Sequence, residues 1–208
     1  MAEFLDERSG RLIADVFNVD ELEAHPESVF AIDSRGKLIY VNPAWYRFAR
    51  NNGGEPVVPR SWVVGANFFD AIPEPLKTFY RELFARTPRF GESLEPLSFV
   101  YECSSADLYR QFNMLVYALP DDEDGRSAGH LVVNSPLEER PHDREPQPPN
   151  EEKYVDQDGL LHQCSHCRRV KDVVGGSWDW VPDWVEAPPP NASHGLCPVC
   201  YDYFFAAA

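Results

Sequence analysis

Nowhere in the 208-residue chain do eighteen apolar residues follow one another, which excludes a helix of the length and hydrophobicity needed to cross a bilayer. Basic residues are scarce: 19 Lys and Arg stand against 34 Asp and Glu, for a formal net charge of −15. Nucleic acid and anionic membrane surfaces are both argued against, because each needs clustered cations to displace counterions. The opening "MAEFLDERSG" lacks the basic start and apolar run of a secretory signal. The expectation is a cytoplasmic protein, where thiols stay reduced and paired cysteines hold metal more often than they form disulfides. Enzyme signatures are missing as well: there is no G-x-S-x-G, no H-E-x-x-H and no phosphate-binding glycine loop. The H-x-E of zinc deaminases occurs only at His25–Glu27, and "CPVC" carries its proline inside the pair rather than before it. A non-enzymatic protein is therefore expected.

What is present is ample material for a core, with 13 Phe, nine Tyr and five Trp in a chain that is 43% hydrophobic. Phe4, Leu5, Leu12, Ile13, Val16, Phe17 and Leu22 recur at three- and four-residue spacings, which predicts one or two short amphipathic helices over 3–24, closed by Pro26. "VFAIDSRGKLIYVN" predicts two strands around a turn in which Gly36 supplies positive φ. Asn42 then reads as an N-cap and Pro43 as the first residue of a helix that stops at Gly53-Gly54. A further helix is expected over about 74–86, with Leu76, Phe79, Tyr80, Leu83 and Phe84 on one face. Three strand-like runs follow at 93–105, 107–121 and 129–136, the last two joined by the acidic loop "DDEDGRS". Residues 136–152 are proline and charge with little to bury, and read as a semi-rigid linker. The expected division is a leader over 1–26, a domain over 27–135, the linker 136–152, and a tail over 153–205.

The element order in 27–135, together with "VFAIDSRGKLIYVNPAWYRF", resembles the PAS family: a hairpin, a band of short helices, and three antiparallel strands around a small cavity. "VVGANFFDAI", "FYRELFA" and the strands "FVYECSS" and "YRQFNMLVYAL" are similar to the photoactive yellow protein branch of that family. The resemblance implies an α+β PAS fold with a five-stranded antiparallel sheet and short helices. It also implies a sensory signalling role and self-association as a homodimer through the N-terminal helices and the PAS unit. No covalent chromophore is expected, because the segment after "NFF" reads "DAIPEPLK", without a thiol. Asn67 is followed by Phe68 and Phe69 rather than by the cysteine of flavin photosensors, and residues 74–88 hold no histidine for a heme. The pocket ligand is left unnamed. Tyr101, Gln111, Asn113 and Tyr117 are open either to lining the pocket or to facing solvent or another chain. Cys103, alone in a predicted strand, is expected as a packed, inert thiol.

The other four cysteines form two C-x₂-C pairs, "CSHC" and "CPVC", thirty positions apart from Cys167 to Cys197. Each pair presents two sulfurs from one tight turn, and four thiolates suit a closed tetrahedral zinc site. Cys164, Cys167, Cys197 and Cys200 are the predicted ligands. His194 is the alternative for one of them, and His166 is expected beside the site or in solvent. Two disulfides, an iron–sulfur centre or four packed thiols are the other readings. A knuckle, a hairpin from "GGSWDWVPDWV", and a knuckle running into a helix is similar to treble-clef zinc domains and to cysteine-paired tails on bacterial PAS and receiver signalling proteins. Arg168, Arg169 and Lys171 beside the first pair are expected to balance its charge. The favoured function is a PAS sensor passing its state to a structural zinc tail that binds a protein partner. The alternatives are a redox- or metal-responsive regulator and a nucleic-acid-binding transcriptional regulator.

Overall fold

The protein is described from a computed structural model that covers residues 2–52, 60–74, 76–93, 95–121 and 127–205. Gly53-Gly54 and most of the acidic loop at 121–127 lie outside the described residues. The chain is α+β and groups into two compact units, 1–72 with 81–100 and 113–136, and 73–80 with 101–112 and 137–208. In order come β1 (Glu3–Phe4), α1 (Glu7–Ala14), α2 (Val19–Ala24), β2 (Ser28–Asp33), β3 (Leu38–Val41) and α3 (Pro43–Asn51). A single 3₁₀ turn at Phe68–Ala71, α4 (Leu76–Ala85), β4 (Leu97–Glu102), β5 (Leu108–Ala118) and β6 (Gly129–Pro141) follow. Their strands form one sheet in the order β1-β3-β2-β6-β5-β4.

Six strands rather than five make this sheet, because Glu3 and Phe4 pair with Val41 and Tyr40 at the edge of β3 instead of starting a helix. Asp6 ends that possibility: its carboxylate accepts the Ser9 N–H at 2.8 Å and begins α1 there. The apolar stripes of α1 and α2 are spent within the chain. Ile13 and Leu22 pack with Val29, Ala31, Ile39, Tyr40, Leu119 and Leu131, and Phe17 meets Tyr117 edge-on at 5.8 Å. Tyr117 thus faces the leader helices. Asn113 lies on the same side of β5 by alternation, and its Oδ1 accepts from Ser98 Oγ at 2.7 Å.

Asn42 joins these parts. Fully buried, it accepts from Val29 N–H at 3.0 Å and Trp45 N–H at 3.2 Å, and donates to the carbonyls of Leu22 and Glu27. The hairpin turn is as its glycine demands, with Gly36 at φ +82 and the Phe69 ring where a Cβ would stand. Gly129 is needed for another reason: a Cβ there would collide with the Ile32 carbonyl oxygen, at the start of the β2–β6 ladder.

Phe30 and Ile32 point to the opposite side from Val29 and Ala31, so β2 is buried on both faces. There Phe30 meets Trp45 at 5.2 Å and Phe68 at 4.9 Å, Phe68 reaches Phe84 at 5.9 Å, and Phe84 stacks on the His130 ring at 5.4 Å. Among the described residues, Nδ1 of His130 is buried without a hydrogen-bond partner, and burial holds the ring's pKa below its ordinary value. The unfolded chain takes that proton more readily, so stability present above about pH 6.5 should be lost as pH falls toward the folded value. Urea midpoints between pH 7.5 and 5.5 should show a slope of up to about 1.4 kcal/mol per pH unit from this group. His130→Phe should flatten that slope.

In the second unit, the stretch expected as a semi-rigid linker, 136–152, carries hydrogen-bonded backbone. The strand β6 runs on to Pro141, and Gln147 N–H donates to the Trp180 carbonyl at 2.8 Å. Charged residues of this stretch lie against rings and opposite charges: Arg140 sits 4.3 Å over Tyr109, and Glu139 pairs with Arg110 of β5 at 2.6 Å. After α5 (Glu151–Tyr154) come β7 (Leu161–Cys164), β8 (Val170–Lys171), β9 (Trp178–Asp179), α6 (Pro182–Glu186), β10 (Ala192–Gly195) and α7 (Pro198–Phe205). Their strands pair in the order β10-β7-β8-β9. Residues 182–186, expected as strand, are a helical turn begun by Pro182. Tyr154, Leu161, Val170 and Val181 form a small core beside it.

Candidate metal centre

The two cysteine pairs meet because β10 pairs in parallel with β7, aligning Gly195 with Cys164. Ser165 N–H donates to the Gly195 carbonyl at 2.7 Å, and Cys197 follows two residues later. Cys164 ends β7, Cys167 closes the turn after it, and Cys200 lies in the first turn of α7. All four sulfurs lie within 4.8 Å of one another, and none of the four residues is more than 6% exposed. Cys167 and Cys197 sulfurs stand 3.8 Å apart, which is the edge of a tetrahedron with ligands at ~2.3 Å from a central ion, about 3.8 Å. Trp178 and Leu196 pack against the cluster. The donor set and its spacing therefore fit a metal ion with no open position.

The four thiols are close enough to shift one another's pKa. Hydrogen bonds from Cys167, Cys197 and Cys200 hold the Cys164 thiol well below its ordinary range, while proximity to Cys164 pushes Cys167 and Cys200 up. Cys164 also pushes Cys197 up, but Cys167 and Cys200 outweigh it and leave that thiol at about 7. A cation at the centre substitutes for the missing protons.

His194, the alternative ligand, is exposed and outside the group of four. His166 is beside the site: its Nε2 accepts the Glu102 backbone N–H at 2.9 Å, so Nδ1 carries the ring proton toward Cys200 Sγ, 3.3 Å away. Its ring stacks on Tyr203 and meets Phe204 edge-on, and burial lowers its pKa. Arg144 donates to the Cys167 carbonyl at 3.0 Å and to both Glu102 oxygens at 2.8 and 2.7 Å, with its guanidinium 4.8 Å from the Trp180 ring centre. Glu102 and Arg144 were not legible as parts of this site. Around Arg144 the sequence gives no such signal, with no Phe, Tyr or Trp from 118 to 153. Cys103, expected to be packed, is exposed. Tyr101, another candidate for lining a pocket, stacks on Phe112 at 5.8 Å, and burial lifts its pKa well above the ordinary value.

The first knuckle is wound through a left-handed residue. Arg168 has φ +63, its N–H donates to the Cys164 carbonyl at 3.1 Å, and its Nε is buried without a partner among the described residues. Only glycine takes that conformation without cost. Arg168→Gly should raise stability by about 1 kcal/mol, read as an upward shift of the urea midpoint with metal bound. A lower midpoint would mean that the buried arginine stem contributes more than the backbone strain costs.

No protein-family model and no curated protein matches this chain. A solved structure similar to it is the Aer2 receptor from Vibrio cholerae, described as a dual PAS-heme oxygen sensor. The likeness covers 54% of this chain and 95% of that one, at 18% identity and a TM-score of 0.38. Heme and oxygen are said of that receptor alone. Among the described residues no helix is long and apolar enough to cross a membrane.

Proposed function

We propose that this chain is a non-enzymatic, cytoplasmic PAS-type signalling protein, in which a structural zinc ion at Cys164, Cys167, Cys197 and Cys200 holds together a surface for a protein partner. The single observation carrying the reading is the closed cage of four buried sulfurs within 4.8 Å. A d¹⁰ ion in such a cage supplies cross-linking of two chain segments and no chemistry of its own. The sequence of knuckle, β8–β9 hairpin and knuckle leading into α7 supports a treble-clef-like unit. The sensor half is supported by the element order and by β2, the first strand of the hairpin, lying between β3 and the last strand, β6. The segments around "VVGANFFDAI" are the support for the photoactive yellow protein branch.

A redox switch at the same thiols requires oxidant to reach them, and at most 6% exposure disfavours it. The net charge of −15 disfavours a nucleic-acid partner. Native mass spectrometry of freshly purified, reduced protein tests the reading. One zinc per chain is the expected mass increment; an apo chain or an iron–sulfur increment would sink it.

A further inference from the structure

Glu102 ends β4, the last strand in the sheet order. Two separate hydrogen-bonded arms leave it. Its backbone N–H goes to His166, whose other ring nitrogen faces Cys200. Its carboxylate goes to Arg144, which donates to the Cys167 carbonyl. One residue far outside the cysteine pairs therefore reaches, through one side chain in each case, a member of each pair. The carboxylate and guanidinium are only 8% exposed, and Ser104 Oγ adds a further bond to Glu102 at 2.6 Å. The Arg144 guanidinium is also held over Trp180. Surface charge of no consequence would not be buried, bonded at both carboxylate oxygens and stacked at once.

The geometry of the arms makes them conditional. Both arms land on the first knuckle, at His166 and at the Cys167 carbonyl, and the conformation of that turn is what a four-sulfur metal cross-link fixes. We propose that Glu102 is the residue through which the metal state of the four-cysteine centre is conveyed to strand β4. With metal bound, both arms hold the end of the strand; when metal leaves, the turn from Cys164 to Cys167 loosens and the strand end is released. Glu102, Arg144 and His166 are positioning residues in this device. The inference rests on the metal reading given above and adds to it a regulation: metal supply sets the order of a sheet edge.

Hydrogen exchange of the full, reduced chain with and without one equivalent of Zn²⁺ tests this, alongside the intact mass. Zn²⁺ should slow exchange over residues 101–105 by tenfold or more and leave residues 28–33 of β2 unchanged. In the Zn²⁺-loaded protein, His166→Phe should return 101–105 to fast exchange. Glu102→Gln, which keeps the backbone arm and the side-chain volume, should raise the rate of zinc loss to a chelator about 10-fold. Fast exchange at 161–164 of β7 in that Zn²⁺-loaded His166→Phe protein as well would be a loss of fold rather than of one arm, and would overturn the coupling. Uptake of Zn²⁺ with unchanged exchange at 101–105 overturns the coupling alone; failure to take up Zn²⁺ overturns the metal reading and the coupling together.

Discussion

A Cys164→Ser variant should lose its metal and, with it, the fold of the second unit. Apparent binding free energies of structural zinc are about 10–16 kcal/mol, against about 5–15 kcal/mol for the whole stability of a typical domain. The apolar core beside the cysteines is only four fully buried side chains, Tyr154, Leu161, Val170 and Val181, too few to stand alone. The loss should reach beyond the tail, because residues 73–80 and 101–112 group with it. Phe79 packs edge-on against Phe204 at 4.8 Å, on the helix that carries Cys200. Tryptophan reports the outcome cleanly: Trp178, Trp180 and Trp184 lie in this unit, and Trp45 and Trp62 in the other. Near-ultraviolet dichroism should fall sharply while exchange protection at Val29–Ile32 persists. A variant that keeps the dichroism of the metal-bound protein would show that the cysteines merely pack.

Arg144→Met should cost about 3–5 kcal/mol, since it leaves the Glu102 carboxylate buried beside an apolar chain. It also removes the bond to the Cys167 carbonyl and the contact with Trp180. The pair itself need not be worth that much. Glu102→Gln together with Arg144→Met should recover most of the loss, because no charge is then left buried. Urea midpoints of the two single variants and the double variant close the cycle. Additive losses would mean that the two side chains act independently, against the two bonds from Arg144 Nη2 at 2.7 and 2.8 Å.

Local signals were legible wherever a residue's role is set by its near neighbours in sequence. Asn42 and Pro43 start α3, Gly36 turns the hairpin, and Phe112, Met114 and Val116 alternate with half-buried residues along β5. Each depends on backbone conformation or on period within a few positions. Phe4 was misread for the opposite reason. A two-residue segment has no period of its own, and the unpaired edge of β3 decided its state. In the stretch 136–152 composition counts charge as solvated, and the contacts of Arg140 and Arg144 with Tyr109 and Trp180 were not legible from it.

The sequence by itself determined that each cysteine pair presents two sulfurs from one tight turn, because a C-x₂-C turn orients both of its side chains without help from the rest of the chain. It also determined the hairpin, the capped helix and the alternating strand, all built from contacts within a few residues. Only the tertiary structure decided that the pairs meet through a parallel β7–β10 ladder. It alone decided that His194 stays outside while His166 turns its ring proton toward Cys200. Glu102, some sixty residues before the first pair, stands at the head of both hydrogen-bonded arms for the same reason. Such partners are chosen by burial and by the need to satisfy every polar group taken out of water, and that need is settled between segments distant in the chain.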